Sequence, residues 1–65
     1  MNIDKHDKRL DVSIVAQRLN VSTRTVYRLI DRTELVAIDV GAGTIPRFRV
    51  LESSVVAFEL KRIVD

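Results

Sequence analysis

Residues 13–30 read SIVAQRLNVSTRTVYRLI. Two short helical stripes lie here with almost no chain between them. Val12, Val15, Ala16 and Leu19 recur at i, i+3, i+4 and i+7, which is one face of a helix. Asp11 or Ser13 can cap the start of this helix. Asn20 can adopt the left-handed conformation that ends one. The spacing predicts a helix over residues 13–19. Ser22 is a strong N-cap for a second helix, whose stripe is Val26, Leu29 and Ile30. Only Asn20 and Val21 separate the two, so the pair reads as a tight helix-turn-helix.

Working outward, residues 35–40 (LVAIDV) are β-branched and partly alternating, as in a strand. Gly41-Ala42-Gly43 marks a turn, and residues 45–50 (IPRFRV) read as the returning strand. Pro46 lacks an N–H, which restricts it to the hairpin tip or an edge. Phe48 and Val50 face the core in this reading, and Arg47 and Arg49 alternate outward. A last helix is predicted over residues 53–64, capped by Ser53, with Lys61 and Arg62 near its C-terminal dipole. An isolated hairpin is marginal, so this one must pack on the helices. Residues 1–9 are almost all polar and read as a flexible N-terminal arm, with the folded domain spanning residues 10–65. The expected fold is mostly α with a small β-hairpin, a winged helix-turn-helix.

With 65 residues the chain suffices for one small domain. A core of this size rarely supplies more than about 3–5 kcal/mol, so a partner is expected to add stability. Eleven Lys and Arg against nine Asp and Glu leave a net charge of +2, which points to nucleic acid only where the basic residues share a face. The sequence contains no cysteine, hence no disulfide framework and no thiolate zinc site, as suits a reducing cytoplasm. No apolar run approaches the roughly 20 residues needed to cross a bilayer. The N-terminal MNIDKHDKR has no apolar h-region of a secretory signal.

The start of the second helix raises the functional question. A helix that only covered a core would not need Ser22, Thr23, Arg24 and Thr25 in one row. The apolar stripe turns Thr23, Arg24, Tyr27 and Arg28 to the other side or its edges. In DNA-binding helix-turn-helix units the second helix enters the major groove, with its N-terminal residues at the base edges. Short hydroxyl side chains let the backbone approach phosphate, and the free N–H groups of a helix start favour an anion. Arg24 or Arg28 can reach guanine O6 and N7 in bidentate fashion. Tyr27 suits phosphate or sugar. The bland alternative is that Ser22 only caps and the arginines only form a solvated face. Arg47 and Arg49, on a ribbon that directly follows this helix, weigh against it. The candidate DNA-binding residues are therefore Ser22, Thr23, Arg24, Thr25, Tyr27, Arg28, Arg47 and Arg49, with Arg24 and Thr23 as the leading base readers.

Over residues 10–60 the chain resembles the small winged helix-turn-helix domains of the excisionase type, related to the mercury-resistance-type regulators. The resemblance is carried by L-x-V-x-x-V-A-x-R-L-N-V-S-x-x-T-V-Y-R-L-I at residues 10–30. It continues through Glu34-Leu35, A-I-x-V-G at residues 37–41, P-R-F-R-V at residues 46–50 and S-x-V-x-A-F at residues 53–58. It implies a bacterial, phage or mobile-element protein with its second helix in the major groove and its wing against the minor groove or backbone. Asn20 stands where the family usually has a turn glycine. Asp31 and Asp39 stand where basic residues are frequent, and Glu52 replaces a frequent Arg or Lys. These acids thin the positive surface around the wing. The wing is also a few residues longer than in the shortest members, and its tip, residues 42–45, carries no charge.

Other residues invite readings that the sequence does not support. His6 between Asp4 and Asp7 is a single histidine in the arm, so no metal is expected. Asp31 and Glu34 are joined by no nucleophile or base, so no catalytic residues are assigned. Gly41-x-Gly43 lacks the third glycine and the following helix of a dinucleotide loop, and no cofactor is expected. Phe48 and Phe58 read as core. Lys5, Lys8 and Arg9 form either a solvated tail or an arm reaching a minor groove. Val55, Val56, Phe58, Ile63 and Val64 exceed one face of a short helix. They either bind a second copy or another protein, or wedge the helix deeply on the sheet.

The reading is a non-enzymatic, sequence-specific binder of double-stranded DNA. The family resemblance implies a recombination directionality factor that bends or organises DNA for an integrase, or alternatively a small transcription regulator. A dimer or a tandem array on DNA is expected from the small size. The rival from another class is a protein-interaction module that has lost DNA binding, motivated by Asp31, Asp39 and Glu52.

Overall fold

Val12, Val15 and Ala16 on the first helix and Val26 and Leu29 on the second are the residues their apolar stripes place inward, and all five are buried. Around them the computed structural model describes residues 7–41 and 47–63. The element order is β1 (Arg9–Asp11), α1 (Val12–Leu19), α2 (Thr23–Asp31), β2 (Ala37–Asp39), β3 (Phe48–Leu51) and α3 (Glu52–Lys61). Three helices and a small antiparallel sheet make a winged helix-turn-helix, as the sequence reading expected.

Both helices of the turn end in the same way. Asn20 adopts φ 57°, ψ 46°, and the N–H groups of Asn20 and Val21 reach back to the carbonyls of Gln17 and Ala16. This is a Schellman closure. At the end of α2, Thr33 takes φ 60°, Thr33 N–H donates to Ile30 and Glu34 N–H donates to Leu29. A β-branched residue is strained at positive φ. The closure turns the chain so that Leu35, 1% exposed, drops into the core.

The sheet differs from the expected two-stranded hairpin. Its order is β1-β3-β2, with β3 central and both neighbours antiparallel. Leu10 and Ala37 both pair with Val50, while Asp11 and Ile38 both pair with Arg49. Residues 9–11 are too short a run to announce a strand by alternation, and pairing with β3 alone makes them one. Arg9 pairs with Leu51, the Lys8 carbonyl accepts Glu52 N–H, and the Asp7 carboxylate accepts both the N–H and the hydroxyl of Ser53.

Helix α3 begins one residue earlier than expected. Its N-cap is Leu51, which offers no capping side chain, so Asp7 takes the part assigned to Ser53. Ser54 latches the helix to the strand connection: its hydroxyl donates to Leu51 O and accepts Val36 N–H. Val55 is buried and Phe58 packs on the core edge. The deep wedging offered as one alternative does not occur: Val56, Leu60 and Ile63, at i, i+4 and i+7, are 40%, 63% and 65% exposed. The expectations for residues 1–6, for the wing tip including Pro46, and for Val64 lie outside the described residues.

Candidate nucleic-acid interface

Ser22 caps α2 as its sequence position requires. Its hydroxyl accepts Thr25 N–H at 3.2 Å and lies 3.1 Å from Thr25 Oγ1. The two amides before Thr25, those of Thr23 and Arg24, carry no bond to the described residues. They leave a positive helix start open to an anion. Val26 and Leu29 point inward, so helical geometry turns Arg24 and Arg28 to solvent on the far side. Arg32, at the C-cap, continues the same row at i+8.

The arginines divide by what they touch. Arg18 of α1 bonds Glu52 at 3.2 Å and Glu59 at 3.0 Å, tying α1 to α3. Arg62 bonds Glu34 at 2.9 Å and stacks 4.8 Å over the Phe58 ring. Arg49 lies 3.9 Å from Asp11. Arg24, Arg28, Arg32 and Arg47 have no acidic partner among the described residues, and neither has Arg9 on β1. Arg28 and Asp31 are three apart on one helix and still make no ion pair. Four of the unpaired guanidinium groups thus lie along α2 and on the ribbon beside it.

Tyr27 joins the helix to that ribbon. The residue is 47% exposed, and its ring meets Phe48 edge-on, with centroids 6.0 Å apart and planes at 61°. Arg24, Tyr27, Arg28 and Asp31 line one shallow groove with Ile30 and Phe48. The structure therefore brings Arg24, Tyr27 and Arg28 together on one side of α2. Thr23 is exposed at the helix start. Thr25 lies on the other flank, in a groove with Arg18, Leu19 and Phe58. Arg47 is exposed just before β3. Arg49 is separated from the rest. Phe48 and Val50 pack on the core, so alternation turns Arg49 to the opposite face of the sheet, beside Asp11 and Ile38.

Two of the acids that thin the positive surface are occupied. Glu52 is one partner of Arg18. Asp39 Oδ1 accepts Gly41 N–H at 2.9 Å and Arg47 N–H at 3.1 Å. These two amides, Gly41 first, hold its carboxyl below the ordinary carboxylate value. The sequence reading did not single out Arg32, although its i+4 spacing from Arg28 signals it. It also had no means of assigning Asp39 to the wing backbone, because that role depends on the hairpin register. Among the described residues, no cluster of three His, Cys, Asp or Glu is placed to hold a metal. No helix of the described residues is long and apolar enough to cross a membrane.

A helix-turn-helix domain family model matches residues 9–62, and the chain belongs to this family, which includes excisionase-like proteins. The match spans all six elements. Such domains are typically non-enzymatic, and membership suggests DNA binding. No curated protein matches the sequence significantly.

Proposed function

We propose that this helix-turn-helix protein binds double-stranded DNA sequence-specifically, with α2 in the major groove and the wing against the neighbouring backbone. The observation that carries the reading is that Arg24 and Arg28 on α2, and Arg47 on the wing, have no acidic partner among the described residues, whereas Arg18, Arg49 and Arg62 each have one. Arg24 and Thr23 read bases, with Arg28 next. Tyr27 and Arg47 contact phosphate, joined by Arg32. Thr25 and Arg49 are peripheral backbone contacts, and Ser22 sets the helix start.

The biological role we propose is excisionase-like: an architectural factor that organises DNA for an integrase. A unit this small buries about 600–1,000 Å² on DNA, so tandem sites or dimers supply the affinity. The second role is a small transcription regulator. A third reading, a protein-interaction module, draws on the exposed apolar row Val56, Leu60 and Ile63.

Selection from random duplex DNA, followed by titration of the winner against scrambled DNA at several salt concentrations, separates these readings. Sequence-specific recognition requires an enriched motif bound at least about 1,000-fold more tightly than scrambled DNA. Direct repeats support the excisionase-like role, and inverted repeats support a dimeric regulator. No enrichment with a flat salt response overturns the DNA reading in favour of a protein partner.

A further inference from the structure

Asp39 is an acid on the wing of a domain read as DNA-binding, and simple electrostatics counts it against the complex. Its surroundings give it the opposite part. Its Oδ1 bonds Gly41 N–H two residues on, an Asx turn that starts the wing, and the same atom bonds Arg47 N–H across the ribbon. One bond further along the ladder, Val40 N–H donates to Arg47 O at 2.7 Å. Arg47 is therefore held at both its amide and its carbonyl, while its side chain stays exposed and has no acidic partner among the described residues. An unpaired arginine is most useful to a phosphate when its backbone is already fixed, because less freedom is lost on binding.

On the premise that the wing touches DNA, we infer that Asp39 is a positioning residue. It fixes the backbone of Arg47 for a phosphate contact, so its carboxylate strengthens DNA binding despite its charge. Electrostatics and geometry then give opposite signs for one substitution. Removing a negative charge from a DNA-facing ribbon tightens binding if charge alone matters. Asp39→Ala weakens it if the two backbone bonds matter, by about three- to tenfold for the loss of ordinary hydrogen-bond energies. Asp39→Asn keeps an oxygen at the Oδ1 position and loses only the charge, so it binds as tightly as the parent or more tightly.

The experiment titrates the DNA selected above with the parent, Asp39→Ala, Asp39→Asn, Arg47→Ala and the Asp39→Ala/Arg47→Ala double variant. Circular dichroism confirms that each is folded. The expected results are a loss for Asp39→Ala, rescue by Asp39→Asn, and little further loss when Asp39→Ala is added to Arg47→Ala. The inference is overturned if Asp39→Ala binds as well as the parent, if Asp39→Asn loses as much as Asp39→Ala, or if the full loss persists without Arg47. Amide hydrogen exchange at Gly41 and Arg47 in free protein is measured in parallel. Faster exchange in Asp39→Ala alone establishes the wing latch independently of DNA, and unchanged exchange rejects it. If the parent binds no specific DNA, the DNA reading itself fails and this exchange result alone judges the latch.

Discussion

Replacing Asp7 by alanine tests whether the chain ahead of β1 is part of the folded unit. Helix α3 needs its first amides satisfied, and its N-cap Leu51 cannot supply a side-chain acceptor. Lys8 O accepts Glu52 N–H at 2.9 Å, and Asp7 Oδ1 accepts Ser53 N–H at 3.1 Å. The second carboxylate oxygen takes the Ser53 hydroxyl at 2.5 Å. Loss of a capping side chain costs about 1 kcal/mol. Removing a negative charge from a helix N-terminus costs roughly another 0.3–1 kcal/mol. Against this, α3 anchors itself with one fully buried residue, Val55. Burial of such a side chain contributes about 1.5–3 kcal/mol, so the cap is a comparable share of what holds the helix. Asp7→Ala should therefore destabilise the domain by about 1–2 kcal/mol. In a domain of this size each kcal/mol moves Tm by roughly 4–8 °C. Thermal unfolding followed by far-UV circular dichroism reads the shift. Ser53→Ala, which keeps the amide bond, should lose less, and the two changes should not add. A Tm unchanged within about 1 °C for Asp7→Ala, against the shift that a lost cap requires, would refute the reasoning and return residues 7–8 to a free arm.

The remaining predictions concern the helix ends and the interface. Thr33→Gly should stabilise the fold by about 1 kcal/mol, because glycine relieves the positive φ that closes α2, and chemical denaturation checks it. Arg24→Ala should cost about 1–3 kcal/mol of DNA binding and relax preference at one base pair; equal weakening on all sequences would make Arg24 a phosphate contact only. Arg47→Ala should weaken every sequence alike and lower the salt slope by about one unit. The depressed Asp39 carboxyl stabilises the wing fully above its ordinary value of 3.8 and loses that contribution only as pH falls through its lower folded value. Amide protection at Gly41 and Arg47 should accordingly be constant at neutral and mildly acidic pH, beyond intrinsic exchange, and fall only in stronger acid.

The local elements were legible where one residue type and one period act together. Val12, Val15 and Ala16, then Val26 and Leu29, repeat at helical spacing and are buried as that spacing demands. Ser22 as a cap and Asn20 as a left-handed terminator follow from side-chain chemistry and need no distant partner. Phe48 and Val50 alternate inward with equal economy. Of the candidate interface, only the grouping along α2 was legible in this way. Arg24, Tyr27 and Arg28 share a side of α2 because helical geometry puts them there.

What no local pattern specifies is pairing across the chain. Residues 9–11 are a strand only because β3 offers them a ladder, and Asp7 caps a helix 46 residues away only because that ladder brings it there. The same holds for the charges. In the sequence Arg18, Arg24, Arg28, Arg47 and Arg49 are equivalent guanidinium groups. The fold brings Glu52 and Glu59 of α3 within reach of Arg18, and the pleat turns Arg49 to the far face beside Asp11, while Arg24, Arg28 and Arg47 are left without acidic partners among the described residues. Composition and periodicity determined that a basic, hydroxyl-capped helix would follow a tight turn. Only the tertiary arrangement decided which arginines remain available, because an ion pair depends on distance in space and the sequence encodes that distance only through the whole fold.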